Sequence, residues 1–376
     1  MSEEFVEQVN VVQPMNDSEQ MNVAEQMSEP TQTTEVVIDF KKEKKFCSGI
    51  GMNFFIFFLI ANGLQLLVSG LVMALAPQMA VDNYGLYLVL AMAPMYVIGV
   101  PVLVKLCKRR EAVQLTQHKL GFGNFVIFMT MCFALMIIGN FIGMFINFII
   151  GLIKGAPVIN SVDVLMNSSS LWANIIIVGI CAPIFEELMF RKLIVDRMVR
   201  YGEATAIVVS GLMFGLFHGN FTQFFYAAAL GMIFAFIYVK TGRLRYTIIA
   251  HMIINMSSTL MVPVLSKIDM AALDEITNLS MSMTGNVSEA AVAEMMTTLS
   301  GMIVPLVILM LFVMFEYGMA LVGIIFLILR RKSFTCNAGT ITLPKGKRAS
   351  VVWFNVGMIL FTISCLALFV YMILVG

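Results

Sequence analysis

An all-α, polytopic membrane protein of about eight to nine transmembrane helices, enclosing a polar intramembrane cavity, is the fold this sequence predicts. Three observations carry that expectation. Of 376 residues, 59% are hydrophobic and only 12% charged, about half the charged share of an ordinary soluble domain. Apolar runs close to or beyond the ~20 residues that cross a bilayer recur along the chain. Basic residues collect at alternate connections, as the positive-inside rule requires. A net charge of +1 offers nothing to attract a polyanion, so nucleic acid is not an expected partner and membrane lipids are.

Residues 1–46 are polar, acidic up to Asp39 and without apolar periodicity, the composition of a disordered cytosolic tail. The acidic stretch stands where a signal peptide would need a basic flank and a short apolar core, so none is expected. Lys41, Lys42, Lys44 and Lys45 should hold the N-terminus in the cytoplasm. Spans are then expected at 49–76, 86–106, 122–153, 171–190, 204–219, 222–239, 246–265, 301–329 and 350–375. From an inside start, the even-numbered connections should be basic. They are: Lys105 to Arg110, Arg191 to Arg200, Lys240 to Arg245 and Arg330 to Arg348. Gly376 is thereby expected outside. The run 122–153 is long for one span and should tilt, or kink near Gly139 or Gly143.

These runs divide the chain into N-terminal membrane helices at 47–165, a core at 166–265 and C-terminal membrane helices at 301–376. Between the last two, 266–300 carries Asp269, Asp274, Glu275, Glu289 and Glu294 and reads as an external loop with a short amphipathic helix. Its role is not legible. The six cysteines, Cys47, Cys107, Cys132, Cys181, Cys336 and Cys365, lack metal or disulfide spacing and read as buried apolar thiols. Lipidation of Cys47 or Cys107 beside the basic clusters is a weaker reading.

The core is organised around Cys181-Ala-Pro-Ile-Phe-Glu-Glu-Leu-Met-Phe-Arg191, which sets two carboxylates at the end of an apolar run. An acid near a bilayer interior is expensive and marks a functional site unless a partner explains it. On a helix Glu187 and Arg191, four apart, share a face, whereas Glu186 lies about 100° round the helix from Glu187. One acid is neutralised locally and the other stays available. The bland alternative is a cytosolic-edge charge cluster that anchors the helix.

Two of the chain's three histidines fall in helical spans downstream, His218 closing Phe214-Gly-Leu-Phe-His218 and His251 opening His251-Met-Ile-Ile-Asn255. His118 lies in a polar loop with no argument for a role. A lone intramembrane histidine is usually a packing residue. Two histidines, an asparagine and a carboxylate over neighbouring spans are better explained by one shared polar site, because each left unpaired in hydrocarbon would cost several kcal/mol. His251 and Asn255, at i and i+4, share a face that can look into it. A buried carboxylate there could act as general base on water, with imidazoles and an amide orienting the water and stabilising an oxyanion. Alternatively Glu186, His218 and His251 could hold Zn2+ with an open fourth position. Glu316, in the middle of the 301–329 span, should hydrogen-bond a neighbouring helix; the alternative is that it joins the polar site.

Glu186-Glu187-x-x-x-Arg191, Phe214-x-x-x-His218, and Thr241-Gly-Arg-Leu leading into His251-x-x-x-Asn255 together resemble the CPBP (Abi-like) family. These are intramembrane proteases related to type II CAAX prenyl endopeptidases and to bacteriocin-processing or self-immunity proteins. The resemblance covers about 166–265. It implies an intramembrane endopeptidase, metal-dependent or metal-free, with Glu186, His218, His251 and Asn255 as active-site positions. Glu187 and Arg191 also match the motif, and the pairing argument makes them structural support. The implied partners are peptide or lipidated protein substrates, either prenylated CAAX-type C-termini or leader and bacteriocin-type peptides. The implied setting is a bacterial plasma membrane.

Other intramembrane hydrolase chemistries lack their residues. No His-Glu-x-x-His occurs, because His118, His218 and His251 are followed by Lys119, Gly219 and Met252. No Gly-x-Ser-Gly or Gly-x-Ser-x-Gly nucleophile is present, and Gly121-Phe-Gly-Asn124 has no aspartate for aspartyl chemistry. The rival classes are a non-enzymatic immunity or assembly protein binding a peptide in the same cavity, and a transporter, which the absence of visible inverted repeats disfavours. One geometric demand follows. His218 lies about 21 Å along its helix from the basic side, so Glu186 can meet it only if Lys192 to Arg200 continues the fourth helix inside the protein.

Overall fold

The computed structural model describes residues 38–158, 161–281 and 289–375, and its described residues are helical with no strand. The expected tail therefore lies mostly outside them, and its last residues are already helix: α1 runs Phe40–Leu75 and takes the basic cluster into its first turns. The helices that follow are α2 (Tyr84–Cys107), α3 (Phe122–Lys154) and α4 (Leu171–Tyr201), then α5 (Glu203–Phe217), α6 (Phe221–Thr241) and α7 (Leu244–Leu265). After these come α8 (Met270–Met281), α9 (Glu289–Leu329), α10 (Lys345–Val352) and α11 (Val356–Val375).

Among the described residues eight helices are long and apolar enough to cross a membrane. The ninth expected span is α5, which has only 15 residues, about 22 Å against a ~30 Å hydrocarbon layer. Its first residue, Glu203, pairs with Lys240 at the far end of α6, so the two helices form an antiparallel hairpin. Gly211 and Gly215 let them approach: a Cβ on either would fall 2.8 Å from an atom of Ala228, the small-residue packing that substitutes for hydrophobic drive in lipid. The hairpin turn is closed within itself. Gly219 takes a left-handed φ of 66°, and Asn220 donates to the His218 carbonyl at 2.9 Å while its own oxygen accepts from the Gln223 amide.

The long run at 122–153 forms one continuous helix. Its glycines serve close contact with α6, since a Cβ on Gly139 would fall 2.4 Å from the Tyr226 Cα. Phe128, Cys132 and Phe133 of α3 pack with Leu230 and Phe234 of α6, Ala250 and Ile254 of α7, and Ala320 of α9. Two boundaries differ from expectation. Helix α9 already includes Glu289, so helix extends into the expected 266–300 loop, of which 282–288 lie outside the described residues. The last expected span is broken at Trp353 to Asn355 into α10 and α11.

Cys47, Cys107, Cys132 and Cys365 are buried, Cys181 is half-buried and Cys336 exposed. Lipidation of Cys47 or Cys107 finds no support, because at 1% and 0% exposure neither thiol has room for an acyl chain.

Candidate active site

Helix α4 does what the depth argument required. Proline at 183 has no N–H and crowds the carbonyl four residues back; around it the helix widens to π geometry over Ile175–Cys181, and again over Leu188–Val195. Such widenings recur at functional sites. The helix then continues to Tyr201 with Leu193, Ile194, Val195 and Met198 buried. Arg197 tolerates that burial by donating to the carbonyls of Cys107 and Leu193 at 2.8–3.0 Å. Lys192 reaches Asp196 at 2.7 Å.

The two adjacent glutamates have different surroundings. Glu187 is fully buried with Arg191, whose Nε lies 3.0 Å from its Oε2, and its Oε1 is 3.1 Å from His251 Nδ1. A carboxylate oxygen accepts, so Nδ1 carries the proton of that bond. Glu186 keeps an 18% exposed side chain and faces the other ring nitrogen, Nε2, at 3.7 Å. That gap exceeds a direct hydrogen bond and is of the order that a bridging water spans. His251 thus stands between one neutralised carboxylate and one available carboxylate.

Arg191 makes no well-aligned hydrogen bond among the described residues. Its guanidinium is instead sandwiched between the rings of Phe214 and Phe234, 4.5 and 5.2 Å from their centroids, where the ring faces attract a cation that water cannot reach. The same Phe214 ring meets His218 edge-on at 4.8 Å and His251 at 5.8 Å. Phe214 was legible as part of Phe214-x-x-x-His218; Phe234 carries no sequence signal beyond being apolar. His218 Nδ1 lies 2.8 Å from the Phe214 carbonyl, which can only accept, so Nε2 is left with a lone pair.

Not every expected member converges equally. Glu186, Glu187, Arg191 and His251 are in direct contact, and His218 joins them through Phe214. Asn255, one turn beyond His251, uses one amide proton on the Val178 carbonyl at 3.0 Å and lines a cavity bounded by α3, α6, α7 and α9. The zinc alternative finds no donor set: among the described residues no three His, Cys, Asp or Glu side chains are grouped to hold a metal ion. Glu187 takes His251 Nδ1 and leaves Nε2 facing Glu186. The expected helix-to-helix bond of Glu316 is also absent among the described residues; its side chain faces the same cavity as Asn255.

The match to a family model falls on this same segment. Residues 168–257 match the family described as type II CAAX prenyl endopeptidase Rce1-like. That segment is therefore similar to the CPBP proteases. The chain is similar to the "Putative membrane peptidase YdiL" of Bacillus subtilis (strain 168), 34% identical over 82 residues, which is 22% of this chain and 34% of the relative. It is also similar to the "Membrane-embedded CAAX protease MroQ" of Staphylococcus aureus (strain USA300), 36% identical over 88 residues, 22% of this chain and 36% of the relative. The matched region thus spans about a third of each curated relative. No solved structure matches the chain.

Proposed function

We propose that the chain is an intramembrane endopeptidase in which Glu186 activates water. The observation that carries this reading is the asymmetry of the two glutamates: Glu187 is consumed by Arg191 and His251, while Glu186 remains partly exposed beside His251 Nε2. Water held between Glu186 and the His218 Nε2 lone pair gives a proton to Glu186 as its oxygen attacks the scissile carbonyl carbon. The resulting oxyanion accepts from protonated His251 Nε2 and from the second amide proton of Asn255. Collapse breaks the C–N bond, and the proton on Glu186 passes to the leaving amine. Peptides of the CAAX or leader and bacteriocin class are the proposed substrates, in keeping with the CPBP match and the name of the staphylococcal relative.

The test is cleavage of a peptide library by the purified full chain in detergent, read by mass spectrometry with and without a chelator. Cleavage is expected and should survive the chelator, because no step above uses a metal. Peptide bound but never cut would favour the non-enzymatic binder.

We further propose an integral protein of a bacterial plasma membrane with a cytoplasmic N-terminus, on the alternation of basic connections. Ser280→Cys should label from outside intact cells. Thr340→Cys, with exposed Cys336 replaced by serine, should label only after permeabilisation. The opposite pattern would reverse the orientation.

A further inference from the structure

A cavity of about 1330 Å³ lies between α3, α6, α7 and α9; Asn255 lines it, and Glu186 and Glu187 do not. It exceeds the ~300–1,000 Å³ clefts that take drug-sized ligands. Most of its wall is apolar, including Met136, Phe141, Met144 and Phe312. Glu316 is the one charged side chain among the described residues that line it, and no described residue pairs with it. A carboxylate in that setting is costly without a counter-charge, and the cavity is where a counter-charge can be supplied. Asn140, Gln223 and Asn255 also line it.

These features select among occupants. A lipid tail has no group for the amides to bond, whereas a peptide entering hydrocarbon must pair its backbone N–H and C=O groups. We infer that this cavity binds an apolar peptide segment bearing one cationic group, a lysine side chain or a free amino terminus, whose ammonium pairs with Glu316. This deepens the endopeptidase reading and rests on it for the statement that the bound peptide is a substrate. Asn255 marks where such a segment would leave the cavity, one helical turn from His251.

The experiment uses the full chain in nanodiscs of a zwitterionic choline lipid and a fluorescent apolar peptide carrying one lysine, compared with the same peptide carrying acetyl-lysine. Wild-type protein is expected to bind the lysine form at least about tenfold more tightly, since a desolvated charge pair of this kind contributes that much or more. Glu316→Gln should erase the preference while leaving acetyl-lysine binding unchanged. Equal binding of both peptides by wild-type protein overturns the inference without any variant, so a misfolded Glu316→Gln cannot shelter it. Loss of the preference when phosphatidylethanolamine replaces the choline lipid would show a lipid-amine site instead and overturns it too. Binding needs no turnover, so the two readings separate: charge-selective binding without cleavage sinks the endopeptidase, and cleavage without charge selectivity sinks this site.

Discussion

Glu186→Gln is expected to reduce peptide cleavage by a factor of ~10²–10⁴, the range that a positioned general base contributes, with folded yield and melting temperature close to wild type. The substitution is nearly isosteric and removes only the ability to take a proton. Little of the fold depends on that oxygen. Its nearest charged partner, His251 Nε2, stands at 3.7 Å, and His251 is held independently by Glu187 through the opposite ring nitrogen. The carboxylate is also partly exposed, so an amide there leaves no buried charge stranded. Cleavage rates of wild type and variant on one peptide, with thermal unfolding of both in the same detergent, decide it. Normal cleavage by Glu186→Gln would remove Glu186 from the base's role and leave the mechanism without one.

The asymmetry behind this prediction was readable in the chain because it depends on local geometry alone. Four residues on a helix bring Glu187 to Arg191 whatever surrounds them, and the pair survives even though the helix loosens to π pitch at Leu188. The continuation of α4 to Tyr201 was legible for a similar reason: a helix that ended at Arg191 would have left His218 out of reach. What could not be read were contacts made by residues with no polar label. Phe234 closes one face of the Arg191 guanidinium from another helix, and among thirty phenylalanines nothing distinguishes it. The direction of Asn255 was only half legible. Spacing placed it on the His251 face, but the Val178 carbonyl captures one of its protons, and that depends on how α4 and α7 cross. Glu316 was visible as an anomaly, yet its neighbours belong to helices brought together by packing, so the cavity it faces had no signature in the sequence. The ninth span failed on length. An apolar run reads the same whether its helix reaches spanning length, as α6 does, or falls short of it, as α5 does.

Glu187→Gln is expected to act chiefly on stability, at a cost of about 3–5 kcal/mol, because removing one partner of a buried ion pair strands the other. Arg191 is 0% exposed and cannot turn to water. Its two aromatic faces remain after the substitution, but the only carboxylate in contact with it among the described residues does not. Glutamine also weakens the hold on His251 Nδ1, replacing a charged acceptor by a neutral one. Residual folded protein should therefore lose some activity as well, and the double variant Glu187→Gln/Arg191→Met separates the two effects. With the stranded cation removed, the introduced methionine side chain would fill the slot between Phe214 and Phe234, and most of the lost stability should return. Activity should not return with it, since His251 still lacks its charged partner. Folded yield, melting temperature and peptide cleavage for the single and double variants make the measurement. A Glu187→Gln protein that is stable yet inactive would exchange the roles of the two glutamates, making Glu187 the base and Glu186 the supporting residue.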